Sequence, residues 1–127
     1  MIAVEGLLVR LGGFELRVGR LEIREGEYVV VMGPSGVGKT VLLHALAGFL
    51  KPERGRIVVD GVEVTRYPPE RRGFALVPQG YGLWPHMSVF ENIAYGLRVR
   101  GLRGEEVRER VLAVSRALDI EHLLDRR

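Results

Sequence analysis

At 127 residues and 46% apolar composition, the chain is one domain or less and has enough apolar material for a core, so disorder is not the default reading. It has no cysteine, which excludes a disulfide framework and a thiolate zinc site, and its three histidines are too scattered for a metal motif and read as surface residues. The formal charge of +3 is small, and the arginines after residue 97 are interleaved with acids, a pattern of solvated helix faces that argues against nucleic acid as a partner. No apolar run approaches the ~20 residues that span a bilayer, and no basic n-region opens the chain, so it reads as soluble and cytosolic. Only Lys39 and Lys51 are lysines, an arginine bias that a GC-rich genome also produces, and Gln79 and Asn92 are the sole side-chain amides; scarcity of Asn, Gln, Cys and Met is a thermophile tendency.

In chain order, residues 2–9 and 14–23 are two β-prone segments joined at Gly12-Gly13, which suggests a hairpin. Gly26 breaks the chain. Tyr28-Val29-Val30-Val31-Met32 then has the composition of a strand covered on both faces in a parallel sheet. Its end runs into Gly33-Pro34-Ser35-Gly36-Val37-Gly38-Lys39-Thr40, which fits G-x-x-x-x-G-K-[ST] at every fixed position. Val41, Leu42, Ala45, Leu46 and Phe49 follow at helical spacing, with Gly48 and Pro52 as stop signals.

A bare match to the pattern is weak, but strand, loop and helix together give it a mechanism. Glycines let successive N–H groups converge on a phosphate at a helix N-terminus. Lys39 supplies charge to the β- and γ-phosphates, and the Thr40 hydroxyl is the expected magnesium ligand.

Past that helix, Gly55 precedes Arg56–Val59, the two-residue turn Asp60-Gly61 and then Val62–Val64, a second hairpin. An apolar run ending in Asp is also how a magnesium-holding strand looks, but the Asp-Gly pair and the strand after it favour the turn, so Asp60 receives no catalytic role. Phe74–Val77 reads as a short strand stopped by Pro78, with Gln79 at the strand end where open α/β sheets bind ligands.

Residues 80–87 form a loop rich in large apolar side chains, with Trp84 either on a partner surface or buried under the next helix. Ser88 and Glu91 are spaced as a capping box opening a helix to about Val99. A second helix from about Gly104 puts Val107, Val111, Val114 and Leu118 on one stripe, and Ile120, Leu123 and Leu124 close the chain in a short amphipathic piece.

This order of features resembles the ATP-binding cassette ATPases that power membrane transporters, over nearly the whole chain. GPSGVGKT is similar to the family's Walker A, Leu46-Ala47-Gly48 with Pro52 and Gly55 to the stretch after it, and Val77-Pro78-Gln79 to its Q-loop. The run Leu83-Trp84-Pro85-His86-Met87-Ser88-Val89-Phe90-Glu91-Asn92-Ile93 resembles a stretch of importer subunits serving sugars, oxyanions, polyamines or metals. The resemblance implies an α/β P-loop NTPase core with an antiparallel β subdomain in residues 1–79 and the start of a helical subdomain in residues 80–127.

It further implies ATP and magnesium as cofactors. Gly33 to Thr40 would hold the nucleotide, with Phe14 the only aromatic candidate for the adenine platform. Thr40 and Gln79 would act on the metal, and Gln79 also on the attacking water. Residues 80–97 would take a coupling helix of the transmembrane permease subunits, and a second ATPase subunit would complete a homodimer at the inner face of the membrane. No signature motif, Walker B carboxylate pair or switch histidine is found, so the chain is expected to be an N-terminal portion that does not hydrolyse ATP by itself. Two other classes compete: another soluble P-loop enzyme, whose GTPase form wants guanine motifs that Asp60-Gly61 and Asn92-Ile93 do not supply, and a non-catalytic module that docks a partner.

Overall fold

The computed structural model describes residues 1–127, which pack as two compact units, Met1–Leu76 and Val77–Arg127. In the first, β1 (Ile2–Leu11) and β2 (Phe14–Ile23) pair antiparallel from Ile2 opposite Ile23 to Leu11 opposite Phe14, around the Gly12-Gly13 turn. On the other edge of β1, β3 (Arg54–Val59) pairs antiparallel and β4 (Val62–Glu63) extends the sheet, giving the order β2-β1-β3-β4. The turn between β3 and β4 has positive φ at both central residues, 49° at Asp60 and 81° at Gly61, the geometry an Asp-Gly hairpin requires. The Asp60 carboxylate pairs with the amino group of Met1 on the exterior, as suits a turn residue.

The register of β1 against β3 shifts between Glu5 and Leu8, and at this bulge two backbones nearly touch. A Cβ on Gly55 would lie 2.5 Å from the Gly6 carbonyl carbon and from the Leu7 Cα, so this crossing admits only glycine. Against the sheet packs α1 (Lys39–Ala47): Leu42, Ala45 and Leu46 bury with Val4, Leu7, Val9, Ile57 and Val64 in one apolar cluster. The opposite face carries ion pairs such as Arg10 with Glu15 and Arg56 with Glu5, exposed enough to contribute little each.

Three expectations need correction here. Neither Tyr28–Met32 nor Phe74–Val77 forms a strand, because each would need parallel neighbours and the sheet is wholly antiparallel. Tyr28 and Met32 are 92% and 86% exposed, and no main-chain hydrogen bond engages residues 28–32. Phe49 lies beyond α1, whose end is set by Gly48 at φ 95°, and is largely exposed; His44 in turn is half-buried and meets the Phe49 ring edge-on at 5.9 Å.

The second unit pairs α2 (Val89–Val99) with α3 (Glu105–Ala117) around Ala94, Val107, Val111 and Leu124. The buried row of α3 continues from Val111 to Ser115, not to Val114 and Leu118, which are 47% and 65% exposed. An i, i+4 row from 107 through 111 reaches 115, and the Ser115 hydroxyl is satisfied by donating to the Leu112 carbonyl at 3.0 Å. A 3-10 turn at Glu121–Leu123 brings the chain back, so that the Val89 and Phe90 N–H groups donate to the carbonyls of Arg126 and Leu124. No helix is long and apolar enough to cross a membrane.

The exposed run at residues 28–32 is a β-prone apolar segment with unpaired main-chain groups, a template for other chains. The purified 127-residue chain is expected to self-associate, and sedimentation across a concentration series should show an average mass that rises with concentration. A sharply melting monomer at every concentration would contradict this.

Candidate functional site

The glycine-rich loop occupies residues 33–38 and opens α1. Within it the Val37 N–H donates to the Pro34 carbonyl at 3.4 Å, and the first helical bond runs from the Leu42 N–H to the Gly38 carbonyl at 2.9 Å. Gly38 caps the helix at φ 103° with no side-chain hydrogen bond, so the N–H groups of Lys39, Thr40 and Val41 have no main-chain acceptor. The positive φ at 38 favours glycine, and the Phe14 ring and Leu16 pack close beside it: a Cβ there would lie 2.8 Å from the tip of the Phe14 ring and 3.1 Å from Leu16. The hairpin tip between β1 and β2 is thereby seated against the helix N-terminus.

Lys39 Nζ bends back over the loop and donates to the carbonyls of Gly33 at 2.6 Å and Pro34 at 2.8 Å. Free N–H groups at the positive end of a helix, beside an ammonium, form a receptor for an anion with several oxygens, and a phosphate chain fits it. Pro34, Ser35, Gly36 and Val37 are exposed and leave the approach open. No group of three or more His, Asp or Glu residues is placed to hold a metal. The exposed Thr40 hydroxyl suits an ion that takes one or two protein ligands and the oxygens of a bound phosphate, as magnesium does.

The first unit thus brings together Phe14, Gly33, Pro34, Gly38 and Lys39. Gln79 belongs to the second unit and is exposed, in a loop and not at the end of a strand. Behind it the Tyr81 N–H donates to the Pro78 carbonyl at 2.9 Å, and Tyr81 and Gly82 follow with φ near 60° and 66°.

In the second unit a groove of about 450 Å³ is lined by Leu83, Trp84, Met87, Val89, Ile93 and Ile120, an almost wholly apolar wall. Trp84 is 38% exposed with its ring centroid 4.2 Å from that of Tyr95, so it is neither buried under α2 nor free in solvent. What shapes this wall is Asn92. Its Oδ1 accepts from the Trp84 N–H at 2.9 Å, and its Nδ2 donates to the carbonyls of Trp84 at 3.1 Å, Ser88 at 3.0 Å and Met87 at 3.3 Å. The sequence carried a signal for this clip: a lone Asn four residues after an N-cap, beside a loop whose main chain has no ladder partners.

The capping box is complete. The Glu91 N–H donates to Ser88 Oγ at 3.1 Å and the Ser88 N–H donates to the Glu91 carboxylate at 2.8 Å. The Ser88 N–H holds the Glu91 carboxyl below its ordinary range. A depressed folded-state pKa means that the stabilisation is present above the unfolded value and is lost as pH falls through the folded one.

Asn92→Ala removes four hydrogen bonds and leaves the Trp84 N–H and the Met87 carbonyl with no partner, since the Trp84 and Ser88 carbonyls still accept from the Met87 and Asn92 N–H groups, and it is expected to release the loop. Trp84 is the only tryptophan, so its emission should shift to the red and lose its coupling to Tyr95, whereas Ser88→Ala should weaken α2 by about 1 kcal/mol with little change in emission. An unchanged Trp84 spectrum in Asn92→Ala would refute the clip.

The family model described as ABC transporter matches residues 16–127. The molybdate/tungstate import ATP-binding protein of Pyrococcus abyssi is 45% identical over 127 residues, covering all of this chain and 37% of that protein. The spermidine/putrescine import ATP-binding protein of Frankia alni is 50% identical over 107 residues, 84% of this chain and 23% of that protein. Among solved structures, a dimeric ATP-binding cassette in a post-hydrolysis state bound to ADP and Pi superposes with a TM-score of 0.80 at 25% identity, covering 98% of this chain and 60% of that one. The chain therefore spans well under half the length of these curated relatives, and over that span it belongs to the ABC transporter family, with the fold of an ATP-binding cassette.

Proposed function

We propose that the chain is the ATP-binding portion of an ABC ATPase that powers solute import. The observation that carries this reading is the receptor at the start of α1, with its free first-turn N–H groups and Lys39 bridging the loop carbonyls. Gly33, Pro34, Ser35, Gly36, Val37, Gly38, Lys39 and Thr40 hold the phosphates, and Phe14, whose ring packs beside Gly38, is the aromatic candidate for the adenine contact. A bound magnesium ion neutralises phosphate charge, with Thr40 as its ligand. Gln79 completes that shell and orients the attacking water in the assembled enzyme.

The β-rich residues 1–79 bear the loop, while residues 80–127 begin a helical subdomain. Its groove around Leu83, Trp84 and Ile93 receives an apolar helix of the permease subunits, which keeps the ATPase peripheral at the inner face of the membrane. A second ATPase subunit closes over the nucleotide. The named relatives are import ATP-binding proteins for molybdate/tungstate and for spermidine/putrescine, and what they share is import with ATP binding, not one solute.

The 127-residue chain is expected to bind ATP with magnesium and to turn it over no faster than a Lys39→Ala control, since hydrolysis also needs groups that position water. Lys39→Ala should lose at least tenfold in ATP affinity, about 1.4 kcal/mol, while keeping its circular dichroism spectrum. Titration with ATP and GTP checks both points: equal affinity in mutant and wild type would remove the nucleotide reading and leave a docking module, and robust Lys39-dependent hydrolysis would overturn the division of labour.

A further inference from the structure

Arg72 is the one charged side chain buried in the chain, 4% exposed, and no carboxylate meets it. An unpaired guanidinium under cover is costly unless its donors are satisfied, and here main-chain carbonyls do so. Nε donates to the Tyr67 carbonyl at 2.8 Å and Nη2 to that of Thr65 at 2.8 Å, both in the segment after β4. Nη1 donates to the carbonyls of Ala45 at 2.8 Å and Leu46 at 3.0 Å, in the last turn of α1.

This is more than a helix cap. The His44 and Ala45 carbonyls are already met by the chain itself, since the N–H groups of Gly48, Phe49 and Leu50 all reach the His44 carbonyl and the Gly48 N–H also reaches that of Ala45, while the Leu46 carbonyl is met by Arg72 alone. The Arg72 fork adds bonds that leave the helix and fasten its negative end to the Thr65–Tyr67 stretch. The contact is also closed from the other side: a Cβ on Gly48 would lie 2.7 Å from Arg72 Nε. At its far end, about 13 Å along the axis, α1 presents Gly38, Lys39 and Thr40.

We propose that Arg72 is a positioning residue for the nucleotide: by holding the C-terminal carbonyls of α1 it fixes where the phosphate end of that helix sits against the sheet. The proposal rests on the reading of residues 33–40 as a phosphate site. Arg72→Lys keeps the charge but not the planar fork, so a charge-only role and a positioning role separate. A merely structural clip would lower the melting temperature and speed amide exchange at residues 44–50 and 64–72 without changing ATP affinity.

The test is magnesium-ATP titration of the 127-residue chain, well below its melting transition, combined with hydrogen exchange. The expected result for Arg72→Lys is at least a fivefold loss of ATP affinity with faster exchange at Gly36–Thr40, the opposite end of the helix. Arg72→Met keeps the apolar stem, removes the fork together with the cost of a buried charge, leaves Gly48 untouched and should give the same pair of changes, so it decides the matter if Arg72→Lys does not fold. Affinity within twofold of wild type in whichever of these variants folds overturns the inference. Lys39→Ala separates the two failures: wild-type affinity there sinks the phosphate reading itself, while loss there alone sinks only the role of Arg72.

Discussion

The contact between Gly38 and the Phe14 ring is the constraint on which the rest of the first unit depends. Residue 38 takes a positive φ that favours glycine and starts α1 with its N–H groups uncovered, and the Phe14 ring packs into the space a Cβ would otherwise fill. The β1–β2 hairpin is thus not a separate ornament. Its tip fixes the N-terminal end of α1, while the core under Leu42, Ala45 and Leu46 fixes the helix along its length. A phosphate receptor built from main-chain donors is only as good as the placement of those donors, so the packing behind the helix belongs to the binding site.

The two units use different physics. The first relies on main-chain geometry, where closely approaching backbones and turns at Asp60-Gly61 and Gly55 set positions. The second relies on side-chain amide and hydroxyl groups: Ser88 and Asn92 collect the loose ends of the Trp84–Ser88 loop and hold a polar skeleton beneath an apolar face. Such a face, with a polar skeleton below and apolar side chains above, contrasts with the main-chain donors that open α1.

Local signals were legible wherever a few adjacent residues decide the conformation. Gly12-Gly13, Asp60-Gly61, the capping box of Ser88 and Glu91, and the loop from Gly33 to Thr40 all fold as their own residues dictate. Tyr28–Met32 has the composition of a buried strand, but a strand exists only where another stretch offers hydrogen bonds. Val114 and Leu118 were placed on the buried stripe of α3 because the apolar pattern admitted them, yet a polar Ser115 satisfied by its own helix fills the row better. Arg72 was invisible for the opposite reason: in an arginine-rich chain a buried guanidinium looks like every solvated one, and its partners lie 5 to 27 residues away.

The central claim, that the start of α1 binds phosphates through main-chain N–H groups, can be met at those groups themselves. Amide hydrogen exchange should be followed across Gly33–Leu42 during titration with ATP, ADP, AMP and adenosine in the presence of magnesium. The account predicts that ATP and ADP slow exchange at Gly36–Val41 while adenosine leaves it unchanged and AMP has little effect. Equal protection by adenosine, or none by ATP at saturation, would contradict it.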